Sequence, residues 1–123
     1  MPIIGRKNFK IVVSLALIND ADEILLSKRP KNKHLEGFWE FPGGKVETAE
    51  LPETALIREI KEELDININN KCIAPLSFSE FDYKEFHLLL LLYICRRWEG
   101  EPKSMENNKI IFAKLFRKTS KKR

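Results

Sequence analysis

The chain has 123 residues, 43% of them apolar and 33% charged, which suits one folded domain with its own core and excludes a disordered or fibrous chain. The longest apolar run, Leu88 to Cys95, is too short to cross a bilayer as a helix. Met1 to Lys10 lacks the basic–apolar–small order of a secretory signal, so a cytoplasmic protein is expected. The net charge of +4 is uneven: Lys109 to Arg123 holds seven basic residues and no acid, and removing them leaves residues 1–108 at −3. Such a basic end is either solvated or a non-specific nucleic-acid contact. No nucleic-acid-binding motif accompanies it, which favours the solvated reading. Cys72 and Cys95 have no zinc-type spacing and read as reduced thiols of the core.

In chain order, Phe9 to Ile18 is rich in β-branched and apolar residues and predicts a strand. Asn19-Asp20-Ala21-Asp22 is a turn cluster, and Glu23 to Lys28 resumes the apolar pattern, so the two strands are expected to form a hairpin. Arg29 to Gly37 is polar and basic, interrupted by Pro30, and reads as a loop. Phe38 to Phe41 predicts a short aromatic strand that stops at the turn signal Pro42-Gly43-Gly44. Pro52 to Leu64 predicts a helix, because proline suits a first helical position and Leu56, Ile57, Ile60 and Leu64 fall on one side. Further strands are expected at about Cys72 to Phe81 and Glu85 to Trp98, followed by a loop from Trp98 to Pro102. Ile110 to Phe116 fits a strand or a short helix. Strands on both sides of one helix indicate an α+β or α/β sandwich with a mixed sheet.

The chemistry-bearing stretch is Gly43 to Ile66, GGKVETAELPETALIREIKEELDI. On the predicted helix Glu59, Glu62 and Glu63 stand at i, i+3 and i+4 and share a face, largely apart from the Leu56/Ile60/Leu64 side. Glu50 precedes the helix within reach of that face. Glutamates on a helix are commonly a solvated face, and these three alone favour that reading. A hard divalent cation, Mg²⁺ or Mn²⁺, is the functional alternative, since it takes oxygen ligands and cancels their repulsion. Mg²⁺ usually shares a few carboxylates with substrate phosphates, which points to a phosphate-containing substrate. Gly43-Gly44 permits close backbone approach, and Arg58 can hold the preceding loop through charge-assisted hydrogen bonds.

These residues resemble the Nudix box, G-x5-E-x7-R-E-U-x-E-E-x-G-U, with U a bulky aliphatic residue. Gly44, Glu50, Arg58, Glu59, Ile60, Glu62, Glu63 and Ile66 stand at its places, and only the last glycine is replaced, by Asp65. Arg29, His34, the run from Trp39 to Lys45, Phe86-His87-Leu88, Trp98 to Pro102 and Glu106 further resemble the MutT branch, hydrolases of oxidised guanine nucleotides. The similarity covers about residues 8–108. It implies an α+β fold, an α/β/α sandwich whose mixed sheet carries the Nudix helix. Also implied are metal ligands at Glu59, Glu62 and Glu63 and the Gly43 carbonyl, with Glu106 a further ligand or base. Arg58 supports these acids, and Arg29, His34, Glu40, Phe41 and Gly43 border a nucleotide. The reaction implied is Mg²⁺- or Mn²⁺-assisted hydrolysis of a nucleoside triphosphate, 8-oxo-dGTP above all, to monophosphate and pyrophosphate. The general base is open between Glu62 and Glu106. His87 reads as structural, and Trp39 and Phe41 as core more than as a stacking platform.

Three departures from the family stand out. Asp65 replaces the helix-ending glycine; aspartate tolerates a left-handed backbone, so the turn is expected to survive. Ala49 and Leu51 replace a glycine and a hydroxyl cap before the helix. Nothing after Glu106 resembles the family's terminal helix and base-reading proline segment, although Phe112 stands near a family tryptophan. The expectation is therefore a hydrolase domain over residues 1–108 and an atypical, shortened basic segment over 109–123, in a monomer. Competing readings are a Nudix hydrolase of another nucleoside diphosphate derivative, and a degenerate domain that binds nucleotide, or nucleic acid through its tail.

Overall fold

The computed structural model describes residues 8–29 and 37–114. Its elements are β1 (Asn8–Leu17), β2 (Glu23–Lys28), β3 (Trp39–Glu40), β4 (Gly43–Lys45), α1 (Pro52–Leu64), β5 (Ile73–Asp82), β6 (Phe86–Cys95) and β7 (Ile110–Lys114). Four strands form a mixed sheet in the order β4-β1-β6-β5, and three form an antiparallel sheet in the order β3-β2-β7. The mixed character comes from β1 and β6, which run parallel over ten pairs from Asn8↔Phe86 to Leu17↔Cys95. The α+β class with a helix on a mixed sheet is thus observed. Among the described residues α1 is the sole α-helix.

Opposite residues of paired strands share a face. Leu15 lies opposite Tyr93 and Leu17 opposite Cys95, and with Val13 they pack against Ala55, Leu56, Ile60 and Leu64 of α1. All seven aliphatic members of this set are at most 1% exposed. Each valine, leucine or isoleucine among them stabilises the fold by about 1.5–3 kcal/mol when buried. Ile57 packs at the edge of this cluster, so the apolar side read from the sequence is the one that meets the sheet. Cys95 is buried and Cys72 half-buried, both as free thiols.

The expected β1–β2 hairpin does not form as an extended ladder. Asn19 closes the turn, its Oδ1 accepting from Ala21 N–H and Glu23 N–H at 3.0 and 2.9 Å. After one bridge, Ile18↔Ile24, the strands part into different sheets. The reason is competition: both edges of β1 are taken by β4 and β6, leaving β2 to pair with β3 and β7. The turn expected at Pro42 to Gly44 is also partly strand. Gly43 and Gly44 pair with Ser14 and Val13, at a distance where a Cβ on Gly43 would strike the Val13 carbonyl oxygen. The aromatic strand shrinks to Trp39–Glu40, and β6 ends at Cys95 rather than Trp98. The alternative left open after Lys109 resolves as strand β7, paired with β2.

Proline occupies the start of α1, and Leu51 before it offers no side-chain cap. At the other end Asp65 adopts φ 59° and ψ 38°, its N–H donating to the Lys61 carbonyl. Its carboxylate pairs with Lys61 at 3.0 Å and Lys103 at 3.7 Å. The left-handed stop survives without glycine because aspartate bears that conformation and two lysines hold it.

Candidate active site

A cleft of about 230 Å³ opens between the two sheets beside α1, lined by Val12, Ser14, Ser27, Arg29, Glu40, Phe41, Gly43, Gly44, Glu63, Glu106 and Asn108. A larger hollow of about 440 Å³ lies at Asn67–Asn69 and Arg97–Glu99, with Glu99 its one acid. Only the first brings carboxylates, a guanidinium and glycine backbone together.

The loop from Lys45 to Glu50 is locked onto α1 by Arg58. Its Nε and Nη2 donate to the two oxygens of Glu50 at 2.8 and 2.9 Å, and Nη2 also donates to the Lys45 carbonyl at 3.1 Å. Glu50 in turn accepts from the Glu47 N–H at 2.9 Å. These bonds favour the ionised carboxylate and hold the Glu50 pKa down to about 2, with Arg58 the main cause and the Glu47 N–H next. Arg58 is raised by the same pairing. Its Nη1 reaches Glu59 at 3.1 Å and Glu62 at 3.6 Å.

Glu59 and Glu63 turn toward the glycines. Glu59 is 16% exposed, and a Cβ on Gly44 would collide with its carboxylate. Glu63 accepts from the Gly43 N–H at 3.3 Å. Burial pushes the Glu63 pKa up to about 8, aided by the charges of Glu106 and Glu59 and opposed by the Gly43 N–H. Burial also raises Glu59, against the pull of Arg58. The two carboxyls lie close enough to perturb each other, a crowding that a bound cation would relieve. Glu62 is 55% exposed and leans toward Arg58. Among the described residues no three acidic, histidine or cysteine side chains converge on one point. A cation here would take two helix carboxylates and complete its shell with backbone carbonyl, water and phosphate oxygen, which suits a hard ion that keeps part of its hydration.

Arg29 Nη1 donates to both oxygens of Glu40 at 3.2 Å on the opposite wall. Phe41, half-buried, lines the cleft beside Gly43. Trp39, in contrast, is not core: it is 40% exposed, with the Lys28 ammonium 5.8 Å from its ring centre. Among the described residues no layer covers the two-residue strand to bury the indole. His34 lies outside the described residues. His87 sits away from the cleft, between Glu80 at 3.0 Å and Asp82 at 3.2 Å. Its pKa is raised by those carboxylates, Asp82 first. Val12, Ser14, Ser27 and Asn108 line the cleft and were not singled out from the sequence. Ser14 and Ser27 are polar residues on inward positions of apolar strands, and that mismatch was the available signal.

The model of the NUDIX domain matches residues 8–119. The chain is 35% identical over 99 residues to the 8-oxo-dGTP diphosphatase of Escherichia coli K12, covering 76% of this chain and 71% of that protein. It is 48% identical over 56 residues to the CTP pyrophosphohydrolase of the same organism, covering 46% of this chain and 42% of that one. The solution structure of the E. coli ORF135 protein superposes with a TM-score of 0.79 at 27% identity, over 93% of this chain and 79% of that chain. With the box on α1 and the loop that Arg58 ties to it, the chain belongs to the Nudix hydrolase family.

Proposed function

We propose that the protein hydrolyses nucleoside triphosphates to monophosphate and pyrophosphate using Mg²⁺, with 8-oxo-dGTP as its substrate. The observation that carries this is the Glu59–Glu63 carboxyl pair, half-buried against Gly43 and Gly44, with the Arg58 guanidinium bonded to Glu59 and only the Gly43 N–H to Glu63. The likeness to the E. coli 8-oxo-dGTP diphosphatase supports the choice of base.

Glu59, Glu63 and the Gly43 carbonyl would hold the ion. When bound, it neutralises phosphate charge and lowers the pKa of an attacking water. Arg58 fixes the Glu59 oxygen and, through Glu50, the loop opposite. Arg29 would meet incoming phosphate with its planar guanidinium, whose Nη1 Glu40 holds until phosphate arrives. Phe41 and Val12 offer an apolar wall to the base. Glu106, which lines the same cleft as Glu63, is better placed as general base than Glu62, which leans toward Arg58. Glu62 supports the site through its charge. The catalytic unit extends past residue 108 to include β7, which pairs with β2. Working as a monomer on a small nucleotide, the protein requires no nucleic-acid partner.

The test is pyrophosphate release from 8-oxo-dGTP, dGTP and CTP with Mg²⁺, beside a Glu59→Gln variant. Preference for 8-oxo-dGTP, with at least a hundredfold loss in Glu59→Gln (roughly the cost of one essential charge-stabilising group), is the expected result. Preference for CTP, which the 48% identity over the box region makes the second reading, would keep the chemistry and move the substrate. Release unaffected by Glu59→Gln would sink the site.

A further inference from the structure

Glu106 lies in the long connection between β6 and β7, where an exposed glutamate has no intrinsic reason to keep one position. That connection is held from both sides. On the helix side, the last turn of α1 has carbonyls without helical partners, and the loop supplies donors. Lys103 N–H donates to the Leu64 carbonyl and Met105 N–H to the Glu63 carbonyl, both at 3.0 Å. On the far side, Asn108 closes the turn. Its backbone N–H donates to Ser104 Oγ at 3.1 Å, and the Ser104 hydroxyl donates to Asn108 Oδ1 at 3.1 Å. Asn107 between them adopts a left-handed φ of 61°. Asn108 Nδ2 then donates to Ser27 Oγ at 2.7 Å, and Ser27 is 5% exposed on the middle strand of its sheet.

Glu106 is therefore enclosed in a five-residue turn, Ser104 to Asn108, clipped to the helix at one end and to β2 at the other. Asparagine suits position 108 because one side chain can accept from Ser104 while donating to Ser27. Asn108, Ser27, Glu106 and Glu63 all line the same cleft.

We propose that Ser104, Asn108 and Ser27 form a clasp that positions Glu106 in the cleft that Glu63 also lines, making Asn108 a positioning residue for hydrolysis. The inference rests on Glu106 being a working carboxylate of the proposed site. A clasp of this kind acts only through the carboxylate it holds, so its loss costs nothing once that carboxylate is gone.

The test is a double-mutant cycle between Asn108→Ala and Glu106→Gln, read as kcat and KM on the triphosphate the protein turns over. Mn²⁺ affinity without nucleotide is read in parallel by electron paramagnetic resonance. Asn108→Ala is expected to lower kcat about 10–100-fold, the usual cost of removing an orienting partner, with KM changed less than about twofold. In the Glu106→Gln background the same substitution is expected to cost under about twofold, because the two act as one unit. Ser104→Ala follows Asn108→Ala in direction, and Ser104→Thr, which keeps the hydroxyl, restores the rate. Melting curves accompany each variant, and if Asn108→Ala does not fold, Ser104→Ala takes its place in the cycle. Should the wild type hydrolyse no nucleoside triphosphate, the proposed function falls, and the Mn²⁺ affinities carry the same cycle. Equal weakening by each single substitution, with no further loss in the double, then supports the clasp. Multiplicative losses in the cycle overturn it. So does a Glu106→Gln variant that changes neither kcat nor Mn²⁺ affinity.

Discussion

Glu63 is half-buried beside Glu59 and within the field of Glu106, and the Gly43 N–H only partly offsets that crowding. A side chain in that setting is poor for stability and good for taking a cation, since ligand binding releases both repulsion and a proton. Backbone strain lies nearby as well. Ala49, at the turn before α1, holds φ 66°, a left-handed conformation that costs an L-residue roughly 1–2 kcal/mol. Glycine there removes the strain and adds some unfolded-state entropy. Ala49→Gly is expected to stabilise the protein by about 0.5–1 kcal/mol, net of that entropy. A chemical denaturation midpoint that fell instead would show that the methyl group makes a contact worth more than the strain.

At the scale of elements, α1 is well made along its length and less so at its start. Leu51 is 71% exposed, has β-region angles of −79° and 149°, and makes no cap. Leu51→Ser places a hydroxyl where it can accept from the first free N–H groups, and about 1 kcal/mol of stability is expected. That is several degrees in melting temperature, at roughly 4–8 °C per kcal/mol for a domain near this size. An unchanged melting point would mean that the end of α1 is already satisfied by water. The bounds of α1 were legible because Pro52 marks its start and the apolar spacing runs unbroken to Leu64. The pairing of β2 was not legible. Its sequence suits a hairpin with β1, and the outcome depended on β4 and β6, from distant parts of the chain, taking both edges of β1. Within the site, Arg58, Glu59 and Glu63 were legible because all sit on one helix, where spacing fixes direction. Asn108 and Ser27 were not, because they meet only through the pairing of β2 with β7.

For the whole molecule, the three perturbed glutamates give stability a defined pH dependence. Glu63 in the folded state keeps its proton up to about pH 8, whereas in the unfolded chain it gives it up near the ordinary value of 4.5. Between those values the folded state binds more protons, so stability falls as pH rises. Raised Glu59 acts in the same direction. Glu50, held at about 2 against an ordinary 4.5, works the other way, and its contribution is lost only as pH falls from 4.5 toward 2. With metal chelated, the melting temperature is thus expected to be higher at pH 5 than at pH 8.5. Glu63→Gln should flatten that difference, and Mg²⁺ should raise the pH 8.5 value most. A chelated protein that melts higher at pH 8.5 would mean that the carboxyl pair is not strained in solution.

The parallel ladder of β1 and β6 also bears on how the chain is made. Asn8 meets Phe86 and Leu17 meets Cys95, so each contact closes a loop of about eighty residues, and such distant contacts slow folding. A chain emerging from the ribosome releases β1 first and α1 well before β6. The apolar side of the helix must then wait, with no completed sheet to cover it, until most of the protein has been synthesised. Chaperone capture of nascent chains is expected to concentrate in that interval and to end once β6 has cleared the exit tunnel.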